Sequence, residues 1–152
     1  MNCRIVEVFY AAGVCDAAGR EVRRSIAELG VAGVEDVTVV NLYRIEGDLT
    51  DAAVRRIARE VLADRISQRF RIRTCGASRA AGRYAEVWLK PGVTDPVAET
   101  TVRAIRDIGV RADVRVATGV RYLFSGKVSR QTVDTICRSL LVNSLIHDYV
   151  VG

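Results

Sequence analysis

The chain has four cysteines and one histidine, the residue types that form a cysteine–histidine nucleophile or a Cys/His zinc site. A glutaminase-type nucleophile is a cysteine activated by a nearby histidine, and a structural zinc site collects both residue types at short spacings. Here no two cysteines form a C-x-x-C pair, and all five residues are scattered along the sequence: Cys3, Cys15, Cys75, Cys137 and His147. We therefore predict no catalytic residue and no metal site, and we interpret Cys137 as a small core residue.

The cysteine usage also bears on the compartment. A chain of 152 residues can build an apolar core without cross-links, so we expect no disulfide framework. No apolar run approaches the ~20 residues of a membrane span, and the first residues lack the basic and apolar regions of a signal peptide. We therefore expect a cytoplasmic protein that does not contact a membrane.

Phosphate-binding motifs are absent from the sequence, and its charge does not favour nucleic acid. There is no G-x-x-x-x-G-K-[ST] motif and no G-x-G-x-x-G after a strand, so we predict no cofactor-binding residues. The net charge of +5 is carried almost wholly by arginine, but residues 1–72 contain 11 arginines and 11 acidic residues. A nucleic-acid surface requires a concentrated basic stripe, whereas most of these arginines lie beside acids in segments that resemble solvated helix faces.

A Gly-Val-x-Asp turn occurs twice, each time directly after a short apolar segment that is typical of a strand. The glycines are Gly13 and Gly92, and the aspartates are Asp16 and Asp95. Glycine permits a tight turn, and aspartate is a preferred N-cap of the helix that follows. Pro96 then falls at the first helical position, where its missing N–H costs nothing. This pattern predicts two equivalent turns from strand to helix.

The turn is part of a longer repeat. An offset of 79 positions, the distance from Gly13 to Gly92, aligns the two halves of the chain. Apolar residues at i, i+3, i+4, i+7 and i+8 indicate one matching helix in each half, after the N-cap candidates Thr50 and Ser129. Gly30 and Gly109 match as helix C-caps, and each middle segment is long enough for two strands. Each half therefore reads β-α-β-β-α-β.

This order predicts an α+β fold with an antiparallel sheet covered by two helices in each repeat. We place the repeats at residues 1–72 and 83–152, with a linker at 73–82. A repeat of about 70 residues would be marginally stable alone. We therefore expect the two repeats to pack into one pseudo-twofold unit.

The segments "LKPGVTDP" and "SLLVNSLIHDY" of the second repeat resemble the PurS family, as do "GVCDAAG" and "EVLADRISQRF" of the first. PurS is the small subunit of phosphoribosylformylglycinamidine (FGAM) synthase, the amidotransferase of purine biosynthesis. The resemblance implies a non-catalytic PurS-like subunit, or the N-terminal segment of a fused FGAM synthase, that works with PurL-like synthetase and PurQ-like glutaminase subunits or domains. Because the family acts as a dimer, this chain resembles a PurS dimer written as one polypeptide.

The two turns depart unequally from the family pattern. The first has Ala11-Ala12 where the family has Lys-Pro, and the second keeps Lys90-Pro91. The resemblance therefore implies that partner contacts involve Lys90, Pro91, Gly92 and Asp95, with Gly13 and Asp16 as their counterparts in the first repeat.

Two alternatives remain open. ACT-type regulatory domains share the β-α-β-β-α-β order, pair side by side and bind amino acids at the loop after the first strand, where Gly13 and Gly92 lie. An open sheet that binds RNA would instead require exposed aromatic residues on central strands. The near-neutral first half makes the RNA hypothesis the weakest of the three.

Overall fold

The computed structural model describes residues 2–77 and 81–152. The first repeat contains β1 (Asn2–Tyr10), α1 (Ala17–Glu28), β2 (Val34–Gly47), α2 (Asp51–Ile57) and β3 (Gln68–Thr74). The second contains β4 (Arg83–Leu89), α3 (Pro96–Asp107), β5 (Val114–Gly126), α4 (Arg130–Ile136) and β6 (His147–Val151). α2 and α4 each continue into a single π-helical turn, over Ala58–Leu62 and Cys137–Leu141. Both repeats therefore have the same order of elements, including the π-helical turn.

The strands lie in the order β3-β1-β2-β5-β4-β6. β1 pairs antiparallel with both of its neighbours, so that Val6 faces Tyr43 of β2 and Ile72 of β3. β4 is antiparallel to β5 and β6, with Val87 opposite Val120 and Tyr149. The predicted α+β class with antiparallel strands is confirmed.

The chain folds into two compact units that do not coincide with the sequence repeats. The first unit holds the described residues of 1–14, 41–77 and 94–118. It therefore combines β1, β3, α2 and the second half of β2 with α3 and the start of β5. Its core contains Val6 and Val8 of β1, Val54 and Ile57 of α2, and Ile105 of α3, all buried. A helix from the second repeat thus completes the core of the first unit.

The second unit has the complementary composition. It holds the described residues of 15–40, 81–93 and 119–152, and so includes α1 and the first half of β2. Its core joins Ile26 of α1 to Ala85 of β4, Phe124 of β5, and Val133 and Ile136 of α4. Each unit therefore contains four strand segments and two helices, with one helix contributed by the other repeat.

The middle segment of each repeat, for which two strands were predicted, forms one continuous strand. β2 runs unbroken over Val34–Gly47 and β5 over Val114–Gly126. A tight hairpin requires residues with positive φ, usually the pair Asn-Gly or Asp-Gly. β2 offers only Asn41 near its centre and β5 only Gly119, so neither segment contains a turn sequence. The first half of each strand belongs to one unit and the second half to the other.

The local signals at the helix ends are confirmed. The Thr50 side chain accepts a hydrogen bond from the Ala53 N–H at 3.1 Å, and Ser129 accepts one from the Thr132 N–H at 3.1 Å. Gly30 follows α1 with a φ of +79°, in the left-handed region that glycine adopts without strain. These residues begin and end the helices where the sequence predicted.

The cysteine prediction was wrong at one pair. Cys3 and Cys75 form a disulfide, with their Cα atoms 5.5 Å apart. β1 and β3 are antiparallel and pair Arg4 with Thr74, which places the start of one strand beside the end of the other. The two cysteines are 72 positions apart in sequence, so no local spacing could indicate their pairing.

The predicted linker at 73–82 is partly strand. Arg73 and Thr74 belong to β3, and Arg73 Nε donates a hydrogen bond to the Glu7 carboxylate at 2.7 Å. Residues 78–80 of the predicted linker lie outside the described part of the chain. The repeat boundaries themselves stay a prediction.

Candidate functional site

The two aspartates of the Gly-Val-x-Asp turns each join a helix start to a strand. Asp16 Oδ1 accepts a hydrogen bond from the Gly19 N–H, and its Oδ2 accepts one from the Val39 N–H, both at 2.9 Å. Asp95 Oδ1 accepts from the Ala98 N–H at 3.0 Å. Both carboxylates are partly buried and bound to backbone donors. The structure therefore assigns them a positioning role within the fold.

Asp95 makes an additional contact that Asp16 lacks. Its Oδ2 accepts hydrogen bonds from both the N–H and the hydroxyl of Thr118, at 3.1 and 2.8 Å. Burial raises the pKa of Tyr43, and the nearby Asp95 carboxylate raises it further. Asp95 is thus a charged anchor between α3 and β5.

The glycines of the turns have the backbone geometry that the sequence predicted. Gly13 and Gly92 have φ values of +84° and +87°. The Val93 N–H donates to the Lys90 carbonyl at 3.1 Å, so residues 90–93 close a turn with Pro91 at its second position and Gly92 at its third. Proline and glycine at these positions are typical of a type II turn. Lys90, Pro91 and Gly92 therefore belong to one hydrogen-bonded turn.

A second turn, which the sequence did not predict, lies beside each glycine turn. Asp64 Oδ1 accepts hydrogen bonds from the Ile66 and Ser67 N–H groups, both at 2.8 Å. In the second repeat, Asn143 Oδ1 accepts from the Leu145 N–H at 3.0 Å. Such side-chain turns fix the backbone locally. The repeat offset makes these two turns equivalent.

Both of these turns present an exposed apolar side chain. Ile66 is 88% exposed and Leu145 is 82% exposed, the two highest values among the large apolar residues of the described chain that lie on the surface. An apolar residue exposed to this degree buries nothing within the fold, although a single one is not unusual. The sequence signal that could have identified these turns is the apolar residue at matched positions of the two repeats, Ile66 and Leu145.

The glycine turn and the neighbouring turn form one surface in each unit. The Ala11 N–H donates to the Ser67 carbonyl at 2.9 Å in the first unit, and the Lys90 N–H donates to the Ile146 carbonyl at 2.8 Å in the second. We call residues 11–14 with 64–67 end surface 1, and residues 90–93 with 143–146 end surface 2. Of the predicted contact residues, Gly13 lies in the former and Lys90, Pro91 and Gly92 lie in the latter.

The two end surfaces differ in charge. At end surface 2, Lys90 Nζ lies 3.9 Å from Asp148 Oδ1, and the Asn143 N–H donates a hydrogen bond to His147 Nδ1 at 3.0 Å. Near end surface 1, a cavity of about 570 Å³ is lined by three arginines, Arg59, Arg65 and Arg69. In the sequence, these arginines are typical of an ordinary charged surface.

The reactive groups elsewhere are buried or isolated. Cys137 is fully buried, as predicted, and burial with the nearby Asp134 carboxylate raises the pKa of its thiol to about 11. Within residues 2–77 and 81–152, no three histidine, cysteine or acidic side chains gather where they could bind a metal ion. No helix in the described part of the chain is long and apolar enough to cross a membrane.

Comparison with known proteins agrees with the repeat. No curated protein matches the chain. The family model PurS, described as phosphoribosylformylglycinamidine (FGAM) synthase, matches it twice, over residues 4–75 and 84–152. The two matches cover nearly all of the chain and correspond to the two repeats. The chain therefore belongs to the PurS family, of which it carries two tandem copies.

Proposed function

We propose that the chain is a non-catalytic component of FGAM synthase in de novo purine biosynthesis. In this role it supports the ATP- and glutamine-dependent conversion of formylglycinamide ribonucleotide (FGAR) to FGAM. Membership of the PurS family supports a part in this reaction, and the observation that carries the proposal is the double family match on one chain. A single polypeptide would then supply both copies that other members of the family bring together by dimerisation.

The finer part of the proposal concerns partners. We infer that the chain holds a PurL-like synthetase and a PurQ-like glutaminase together in the cytoplasm, so that ammonia passes between them without escaping. The end surfaces support contacts of this kind, because each presents an exposed apolar side chain on a backbone fixed by hydrogen bonds. Pre-organised apolar anchors of this kind lower the entropic cost of association.

The two end surfaces would not be interchangeable. End surface 2 carries Lys90 and Pro91, whereas end surface 1 carries Ala11 and Ala12 at the same positions. Unequal surfaces favour contacts with two different partners, or with two regions of one partner, over identical contacts with two copies of the same surface.

Co-purification tests this proposal. The tagged chain is expressed with the synthetase and glutaminase from the same genome, and the captured proteins are identified by mass spectrometry. We expect both enzymes in a stoichiometric complex. If neither enzyme is captured and the chain instead binds amino acids in calorimetry, the ligand-sensing hypothesis replaces the scaffold.

A further inference from the structure

The arginine-lined cavity of the first unit has properties that the proposed scaffold does not require. Arg59 lies on the π-helical turn after α2, Arg65 lies in the turn that follows, and Arg69 lies on β3. All three side chains are exposed and line the same cavity of about 570 Å³. This volume is within the range of small-molecule sites, about 300–1,000 Å³.

The positive charge of this cavity is largely uncompensated. None of the three arginines forms an ion pair with another residue in the described part of the chain. Asp64 also lines the cavity, so the four charged side chains that line it carry a net charge of +2. Arg55 lies one helical turn before Arg59 and adds a further positive charge on that side. Like charges at this spacing repel each other and slightly destabilise a helix.

One arginine is already oriented by the backbone. Arg69 Nη1 donates hydrogen bonds to the carbonyl oxygens of Gln68 at 2.8 Å and Arg65 at 3.4 Å. These contacts fix the guanidinium while its other N–H groups remain available. A guanidinium presents paired donors that match the oxygens of a phosphate group.

The matching positions of the second repeat lack this excess of positive charge. Its Arg138 forms an ion pair with Asp134 at 3.0 Å, and Asp134 occupies the position of Arg55 in the first repeat. Ser144 and Asp148 stand where the first repeat has Arg65 and Arg69. Arg59, Arg65 and Arg69 therefore carry a charge of +3, whereas their counterparts Arg138, Ser144 and Asp148 carry a net charge of zero.

We propose that Arg59, Arg65 and Arg69 form a binding site for a phosphorylated small molecule. The guanidinium groups bind the phosphate oxygens, and the half-buried ring of Phe70, which also lines the cavity, packs against the remainder of the ligand. The site goes beyond the scaffold role, since it needs only the chain itself. It is tested on the purified chain alone, so its failure would leave the assembly with the two enzymes untouched.

Calorimetry with ATP, pyrophosphate and adenosine tests this site. We expect saturable binding of ATP and pyrophosphate below about 1 mM, the usual upper range of metabolite affinities. Binding should weaken as salt is added, because the guanidinium groups are exposed to solvent. Adenosine should not bind. No saturation by either phosphate compound, or equal binding of adenosine, would overturn the proposal.

Substitutions taken from the second repeat locate the site. Arg65→Ser and Arg69→Asp install the residues that the second repeat has at these positions, and each should weaken pyrophosphate binding at least about tenfold. The matched control is Arg103→Ser on α3, which removes an exposed arginine of the same unit outside the cavity. Equal weakening by the control would show general charge attraction and contradict the site. Thermal unfolding of each variant confirms that it is folded.

Discussion

Asp95 and Thr118 are joined by two hydrogen bonds, from the threonine N–H at 3.1 Å and from its hydroxyl at 2.8 Å to one carboxylate oxygen. The other carboxylate oxygen caps α3 through the Ala98 N–H. One side chain thus fixes both the start of a helix and the strand beside it. The Gly-Val-x-Asp sequence occurs once in each repeat, and in each its aspartate links the start of a helix to a strand.

Replacing these aspartates should destabilise the fold unequally. Asp95→Ala removes a helix cap and leaves the Thr118 N–H without its acceptor, so we expect a loss of about 3 kcal/mol in the free energy of unfolding. Asp16→Ala should cost about 2 kcal/mol, because Val39 offers no hydroxyl. Urea denaturation measures both, with the exposed Asp107→Ala as control. An equal loss in the free energy of unfolding for all three variants would contradict the role assigned to Asp16 and Asp95.

The Cys3–Cys75 disulfide should contribute strongly to stability. It closes a loop of 72 residues, and a cross-link over that length restricts the unfolded chain by about 4 kcal/mol. Intact mass spectrometry of protein purified without reductant should show a gain of two hydrogens on reduction, and the urea midpoint should fall. Cys15→Ser is the control, since Cys15 is a free thiol. An unchanged mass on reduction would show that the bond does not form.

The two free cysteines should differ in reactivity. Cys15 is exposed, whereas Cys137 is fully buried and its thiol has a pKa raised to about 11. Because the thiolate is the nucleophile, we expect a maleimide to label Cys15 and spare Cys137 in the native protein. Labelling at both sites without unfolding would contradict the burial of Cys137.

Cys137 should also give the fold a specific alkaline sensitivity. Since burial raises its pKa from 9.0 to about 11, the neutral thiol's contribution to stability is complete below pH 9 and is lost as the pH rises towards 11. The loss by that point should reach about 2 kcal/mol. Cys137→Ala installs the alanine that the first repeat has as Ala58, and it should remove this component. An identical pH dependence in wild type and variant would contradict the assignment.

The exposed apolar residues should matter for assembly and not for folding. Ile66→Ser and Leu145→Ser change side chains that are 88% and 82% exposed, so the free energy of unfolding should shift by less than about 0.5 kcal/mol. If the end surfaces bind partners, each variant should weaken capture of at least one enzyme. Val97→Ser, at an exposed position on α3, is the matched control. Full retention of both enzymes by the double variant would remove the end surfaces from the proposed interface.

Substitution of Lys90 should likewise separate a role in partner binding from a role in stability. Its contact with Asp148 is a solvent-exposed ion pair at 3.9 Å, which contributes at most about 1 kcal/mol. Lys90→Ala, which installs the residue of the first repeat, should therefore leave stability nearly unchanged. Weaker capture of a partner, measured by surface plasmon resonance, would then report a direct contact. Unaltered affinity would show that Lys90 does not participate.

The sequence predicted those features that depend on neighbouring residues. Caps such as Thr50 and Asp95 act over three positions, and a left-handed glycine such as Gly92 acts at a single one, so their consequences are local. The repeat extended these predictions from one half of the chain to the other. The family resemblance rested on the same short segments and was confirmed.

The features that escaped prediction depend on contacts distant in sequence. Which helix completes which core is decided by tertiary packing, and α1 and α3 have the same apolar pattern in either arrangement. The Cys3–Cys75 bond follows from strand register, which no spacing encodes. The missing hairpin in β2 could have been predicted, since the segment around Asn41 lacks a turn sequence.

The most direct test of the scaffold is an assay of FGAM formation by the synthetase and glutaminase with and without this chain. Glutamine and free ammonia are supplied in separate reactions. We expect glutamine-dependent formation to require the chain, whereas ammonia-dependent formation by the synthetase should change much less, because only the former needs the two enzymes joined. Equal glutamine-dependent rates with and without the chain would contradict it.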